Sequence, residues 1–253
     1  MLKKIGCNLI FELKDYLLLR KKITFFMFKH LINLFFPKSC AACASFLLAE
    51  EIVICTGCRH KLPLTNHHLM EENEVVKKFY GRIPLEFGGA LFYFHKKGMV
   101  QEMIHKLKYK GHEEIGEMAG NWYSGELKTV EQLKSADYII PVPLHKKRLR
   151  ERGYNQVAQF GKTLSANLNI PYNDSVLIRK VYAKTQSQKN LLGRIDIADT
   201  TFDVVFDESF HGKHFVLIDD VITTGATLES CSRALLKIPN VKISIVCMAM
   251  THN

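Results

Sequence analysis

From about Leu85 onward, apolar residues fall into two alternating rhythms. Phe87 to Phe94 is an apolar, aromatic run and predicts a strand. Val100, Met103, Ile104 and Leu107 then fall at i, i+3, i+4 and i+7, which predicts one buried helix face. Ile115, Met118, Ala119 and Trp122 repeat that spacing. Tyr138 to Val142 reads as a short buried strand, stopped by Pro141 and Pro143. Val157, Phe160, Leu164 and Leu168 mark another helix, with Asn155 as its candidate N-cap. Val204 to Phe206 and Phe215 to Ile218 are strand candidates, and a helix is expected from about Ala226 to Lys237. Val241, Ile243, Ile245 and Cys247 alternate as a last strand. Strands alternating with helices imply a mostly parallel sheet covered on both faces. Ligands of such sheets bind at the C-terminal ends of the strands.

The chain has 253 residues, enough for one full domain with a small module. Hydrophobic residues at 47% and charged residues at 24% exclude a disordered or fibrous chain as a whole. Lys and Arg number 35 against 25 Asp and Glu, a formal net charge of +10. This balance favours a polyanionic partner, nucleic acid or a phosphate-rich ligand, and says nothing of fold. No apolar run reaches the roughly 18 to 20 residues that span a bilayer. Residues 1–26 lack the unbroken apolar centre and small-residue cleavage site of a signal peptide. Two readings remain for them. One is a short basic amphipathic helix that touches a membrane or partner. The favoured one is a poorly ordered extension or a misplaced start, since Met27 offers a second N-terminus. The extension carries six Lys or Arg and two Asp or Glu, so without it the charge falls from +10 to +6 and stays basic.

Seven cysteines make an odd count, and four of them form two close pairs, Cys40-Ala-Ala-Cys43 and Cys55-Thr-Gly-Cys58. Paired spacing in an odd set suits metal binding in a reducing compartment better than a disulfide framework. Each C-x2-C turn presents two thiolates to one ion, and two turns complete a tetrahedral zinc site. Four protein ligands leave no open position, so the expected Zn2+ is structural. The competing reading is four buried or redox-active thiols. Gly57 is expected to supply a positive φ in the second turn. His60, His67 and His68 are expected to be solvated polar residues, and Cys7, Cys231 and Cys247 ordinary thiols.

The most informative segment runs from Phe215 to Thr227, Phe-Val-Leu-Ile-Asp-Asp-Val-Ile-Thr-Thr-Gly-Ala-Thr. A buried strand is followed by two acids, then by a hydroxyl-rich turn entering a helix. Successive N–H groups and the positive end of the helix suit a phosphate dianion. Thr223, Thr224 and Thr227 add hydroxyl donors, and Gly225 lets the backbone approach. Carboxylates beside a phosphate need hydroxyls or a cation to bind, so Asp219 and Asp220 suit the hydroxyls of a ribose. The G-x-x-x-x-G-K-[ST] pattern is absent. This segment resembles, at all thirteen positions, the 5-phosphoribosyl-1-pyrophosphate (PRPP) motif of type I phosphoribosyltransferases.

Two basic segments complete the picture. Pro141-Val-Pro143 leads into His145 to Arg152, which holds five Lys or Arg and one Glu. It leaves the end of a strand, and its natural targets are pyrophosphate or a nucleic-acid backbone. The second cluster is Lys96, Lys97, Lys106, Lys108 and Lys110, with Tyr93 and Tyr109 offering ring faces for stacking bases. A solvated charged face is the plain alternative for both. Arg179 to Arg194 is long, polar and basic, as a flap closing over a polyphosphate or a simple surface loop would be.

The order of a four-Cys knuckle, K-Y-K-G at Lys108–Gly111, P-V-P-x-H-x-x-R-x-x-x-R-G-Y-N-Q at Pro141–Gln156, a T-Q flap with a downstream Arg, and the PRPP motif resembles the ComF family of competence-associated, phosphoribosyltransferase-like proteins. The resemblance runs from about Phe28 to the C-terminus, and Lys189 departs from the leucine common in the flap. It implies a type I phosphoribosyltransferase-like α/β fold, a parallel sheet flanked by helices, preceded by a small zinc-binding module. The expected organisation is an extension at 1–26, a double zinc-ribbon-like module at 27–84 and the phosphoribosyltransferase-like domain at 85–253. The implied function is a cytoplasmic PRPP-binding protein of natural transformation that contacts single-stranded DNA, with competence or recombination proteins as partners. The alternatives are a conventional salvage or biosynthetic phosphoribosyltransferase acting on a free base or amine, and a non-catalytic DNA-binding adaptor.

In a catalytic member, Asp219 and Asp220 would hold the ribose and stabilise developing positive charge at its anomeric carbon. Mg2+ would accompany PRPP. Thr223, Thr224, Gly225 and Thr227 would fix the 5-phosphate. Lys147, Arg148 and Arg152 would meet the pyrophosphate, with Thr185, Gln186 and Arg194 as the flap. Lys106, Lys108, Lys110 and Arg150 would contact nucleic acid, and Cys40, Cys43, Cys55 and Cys58 would bind zinc.

Overall fold

The computed structural model describes residues 37–180 and 201–252. Residues 1–26, Cys7 and the flap candidates Thr185, Gln186, Lys189 and Arg194 lie outside the described residues. The described residues divide into two compact units, 37–40 with 44–56, and 41–43 with 57–180 and 201–252.

In the first unit, the backbone folds back through an isolated bridge between Ser39 and Phe46. Cys40 N–H donates to the Ser45 carbonyl and Ala44 N–H to the Cys40 carbonyl, closing the first C-x2-C turn. The left-handed residue of this turn is Ala44, at φ +63°. Glu51 accepts from the Leu48 and Thr56 amides and from the Thr56 hydroxyl. These donors hold the Glu51 carboxyl below its usual range.

After residues 41–43, the second unit takes in all of α1 (Thr56–Lys61) but its first residue, then a 3-10 turn at His67–Leu69 and α2 (Glu74–Phe79). Gly57 lies inside α1 and is not among the positive-φ glycines, so the expected left-handed turn there is corrected to a helical one. Then come β1 (Phe87–Phe94), α3 (Met99–Tyr109), α4 (Glu114–Leu127), β2 (Tyr138–Pro141), α5 (Lys146–Arg152) and α6 (Ala158–Leu168). A hairpin of β3 (Leu177–Arg179) and β4 (Phe202–Val204) follows, then β5 (His214–Ile222), α7 (Ala226–Leu235) and β6 (Lys242–Thr251). The four-stranded sheet has the order β1-β6-β5-β2, and every pair in it is parallel. The strand–helix rhythm of the sequence therefore produces the expected parallel sheet flanked by helices. β3 and β4 form a separate antiparallel pair, with Leu177 opposite Val204.

Alternation along β5 sends successive side chains to opposite faces. Phe215 and Leu217 join a core with Cys231 and Leu235 of α7, Ile243 and Ile245 of β6, and Leu177 and Phe202 of the hairpin. On the other face, Gly161 of α6 comes so close to β5 that a Cβ there would collide with Ile218 Cδ1. Among the described residues, no helix is long and apolar enough to cross a membrane.

Candidate functional site

The site is built where β5 enters α7. β5 does not stop at Ile218, as the sequence pattern suggests, but continues through both acids to Ile222. Strand alternation then divides the acid pair. Asp220 is 5% exposed and lies on the α3 and α6 side. Lys108 Nζ, near the end of α3, is 2.9 Å from Asp220 Oδ1. Gln156 Nε2 donates to Asp220 Oδ2 at 2.8 Å, and Arg152 Nη1 donates to Gln156 Oε1 at 2.7 Å. A chain of charge-assisted bonds thus joins the K-Y-K-G segment, the acid pair and α5.

Asp219 faces the α7 side. Its backbone pairs in register with Cys247, and its Oδ1 accepts from the Asp220 amide at 2.8 Å. Burial, and then the neighbouring Asp220 carboxylate, push the Asp219 carboxyl up to about 7. Burial also raises the Cys231 and Cys247 thiols well above their ordinary value, with the Asp219 charge adding to both. Both are therefore inert, neutral thiols.

Gly225 caps α7 at φ +81°, and a Cβ there would lie 2.9 Å from Phe79 Cζ. Conformation and space both demand glycine. Thr223, Thr224 and Thr227 are exposed around it. Arg82 braces the turn, donating to the Thr224 carbonyl at 3.3 Å and pairing with Glu229 of α7 at 2.8 Å. The sequence held no signal for Arg82, which joins no charge run or periodic stripe, and it marked Gln156 only as the last residue of the Pro141–Gln156 motif.

The basic segment is a helix, α5, with His145 Nδ1 accepting from the Lys147 amide at its start and Gly153 closing it at φ +79°. Helical spacing sorts its cations. Arg148 and Arg152 line a polar cavity of about 280 Å³ together with Lys108, Tyr109, Gly111, Glu151 and Tyr154. Lys147 and Arg150 are not among its lining residues and form a shallow depression with Glu151. The structure thus brings Arg148 and Arg152 to Lys108, but separates them from Lys147. Lys106 and Lys110 lie on the same helix end as Lys108, outside that cavity lining. Tyr93 is apart from them. Its hydroxyl donates to Glu74, and its ring meets His67 and His252 edge-on.

The four sulfurs of Cys40, Cys43, Cys55 and Cys58 all lie within 4.8 Å of one another. A tetrahedral ion with sulfur bonds of about 2.3 Å needs sulfurs about 3.8 Å apart, so the donor set fits a metal such as zinc. The Cys55 amide donates to Cys40 Sγ at 3.3 Å, as outer-shell donors do for metal-bound thiolates. His67 is not solvated, contrary to expectation. It is fully buried, with Nδ1 accepting from the Ala90 amide and Nε2 donating to Glu74. His68 pairs with Glu126 at 3.1 Å.

No protein-family model matches the chain. It is 29% identical over 208 residues to the competence protein ComFC of Bacillus subtilis, covering 77% of this chain and 82% of that protein. This chain is similar to the ComF-type competence proteins. It is also 35% identical over 114 residues to competence protein F of Haemophilus influenzae, across 45% of this chain and half of that protein. The DNA utilization protein YhgH of Escherichia coli K12 is 26% identical over 152 residues, or 59% of this chain and 66% of that protein. The solved structures similar to it include a glutamine PRPP amidotransferase from Bacillus subtilis, with TM-score 0.38, 19% identity, and coverage of 56% of this chain and 30% of that one. Another is the adenine phosphoribosyltransferase of Trypanosoma brucei, with TM-score 0.36, 14% identity, and coverage of 67% and 85%.

Proposed function

We propose that this chain is a PRPP-binding, phosphoribosyltransferase-like protein of natural transformation that also contacts single-stranded DNA in the cytoplasm. The observation that carries the reading is the β5–α7 junction. Two carboxylates lie near the end of the strand, and exposed Thr223, Thr224 and Thr227 surround a left-handed glycine that starts the helix. The hydroxyls and amides would hold the 5-phosphate. Asp219 and Asp220 would accept from the ribose hydroxyls, and Lys108, Arg148 and Arg152 would balance the pyrophosphate. Asp219 and Asp220 are hard oxygen donors of the kind Mg2+ takes, and with PRPP the ion would add charge stabilisation. We assign the Cys40, Cys43, Cys55 and Cys58 site to structural Zn2+ within an N-terminal module at 27–84, ahead of the domain at 85–253. Net charge, and the names of the relatives, support the link to DNA uptake.

Calorimetry of the full chain with PRPP and Mg2+ tests the reading. Saturable binding that Asp220→Asn abolishes is expected. Absence of PRPP binding in a folded, metal-loaded wild type would overturn it and leave the DNA-binding adaptor.

A further inference from the structure

The cavity between the end of α3 and α5 has more chemistry than a pyrophosphate needs. Three cations, Lys108, Arg148 and Arg152, face one acid, Glu151. Arg148 makes no ion pair among the described residues. Arg152 is held in place before any ligand arrives, by Gln156 Oε1 at 2.7 Å and by the Tyr109 ring, whose centroid lies 5.1 Å from its guanidinium carbon. Two of its donor groups remain for a ligand, so binding there loses little side-chain freedom. The Tyr154 hydroxyl donates to the Leu107 carbonyl and ties the turn after α5 to α3.

Tyr109, already a stacking candidate in the sequence, belongs to this lining. The residue is 66% exposed, although it belongs to the lining of a cationic cavity. His105, one turn earlier, tilts towards it at 5.1 Å. An exposed aromatic surface offers nothing to an inorganic anion. It is what a planar base requires, because base–aromatic stacking tolerates any sequence. A volume of about 280 Å³ suits one phosphorylated unit and excludes a folded strand.

We infer that this cavity holds one nucleotide unit of a single-stranded nucleic acid, with its base against Tyr109 and its phosphate between Arg148 and Arg152. The inference rests on the DNA-contact part of the proposed function and sharpens it. It moves the contact from the outer lysines Lys106 and Lys110 to an enclosed site. Lys108 belongs to the cavity and also holds Asp220, so an occupied cavity adjoins the PRPP loop through a single ammonium.

The test is fluorescence anisotropy of labelled oligo-dT on the full chain, with Tyr109→Ala, Arg148→Met and Lys110→Met. All three side chains are exposed or line the cavity mouth, and circular dichroism confirms folding. Tyr109→Ala is expected to weaken oligo-dT about five- to hundredfold, the range of one stacked base. Its affinity for inorganic pyrophosphate and for PRPP should fall far less, because Arg152 keeps its bond to Gln156. Arg148→Met should lower the slope of log affinity against log salt by about one. Lys110→Met should have the smaller effect. If wild type binds oligo-dT but Tyr109→Ala binds it equally well, the DNA reading stands and the cavity assignment falls. If Tyr109→Ala weakens pyrophosphate as much as oligo-dT, the cavity is an inorganic anion site and the assignment also falls. If wild type binds no oligo-dT at 50 mM salt, both fall together.

Discussion

Lys108 Nζ stands 2.9 Å from Asp220 Oδ1 although 112 residues separate them in the chain. Asp220 is almost fully buried, and among the described residues its carboxylate has one further partner, Gln156. Removing only the cation leaves a buried carboxylate with one neutral donor, which costs far more than the pair itself is worth. Lys108→Met is therefore expected to destabilise the protein by about 1–3 kcal/mol. Asp220→Asn keeps the shape and one hydrogen bond, and should cost less while removing PRPP binding. Urea unfolding of both variants checks this. Equal stability of Lys108→Met and wild type would mean that the pair contributes nothing.

Burial and the Asp220 carboxylate push the Asp219 carboxyl up to about 7 in the folded chain, from an ordinary value of 3.8. The sign follows from proton counting. Between about 4 and 7 the unfolded chain has lost this proton and the folded chain retains it. The unfolded state then binds fewer protons, so stability falls as pH rises through this window and levels off above it. Asp219→Asn removes that slope. Parallel denaturant titrations at pH 5 and pH 8 should show wild type losing stability relative to Asp219→Asn on going to pH 8. A constant difference between the two proteins would contradict the assignment.

Gly225 combines a left-handed φ of +81° with a Cβ position 2.9 Å from Phe79 Cζ. The backbone conformation alone costs an L-residue about 1–2 kcal/mol. For a chain of this size that lowers Tm by roughly 2–8 °C, and the Phe79 contact adds to it. Gly225→Ala should also weaken PRPP, because relieving the clash with Phe79 shifts the turn whose amides would hold the phosphate. Thermal melts and calorimetry on the same sample separate the two effects. An unshifted Tm would show that the turn relaxes freely.

How far these features could be read from the sequence depended on whether periodicity carried them. β1, α3, α4, α6 and β6 each have a clear apolar period and appear close to their expected bounds. The strand and helix start flanking the acid pair and hydroxyl-rich turn were legible because the pattern is local, within thirteen residues. α5 was read only as a basic segment, since its one apolar residue, Leu149, is 43% exposed and leaves no stripe to detect. Its helical sorting of Arg148 and Arg152 away from Lys147 was hidden for the same reason. The strand expected at Val204–Phe206 lies at Phe202–Val204, because Val205 and Phe206 are apolar yet exposed. His67 looked like a polar residue near a metal. It is instead a buried donor to Glu74, a contact between a turn and a helix that no spacing rule reveals. The Lys108–Asp220 pair is likewise a product of topology alone.

The cysteine site yields the most direct prediction. Cys58 is buried and Cys43 exposed, yet both sulfurs belong to one cluster within 4.8 Å. Four thiolates packed this closely repel one another unless a cation or protons neutralise them, and Zn2+ is the ion whose geometry fits. Metal binding and folding of this short segment are then one process. Elemental analysis should find about one zinc per chain. Cys58→Ser should release it and lower Tm, and a strong chelator should have the same effect on wild type. His67→Gln should retain the metal, because both ring nitrogens of His67 already have other partners. Loss of zinc from His67→Gln would make the histidine a ligand. Full stability of the zinc-free wild type would make the cysteines ordinary core residues.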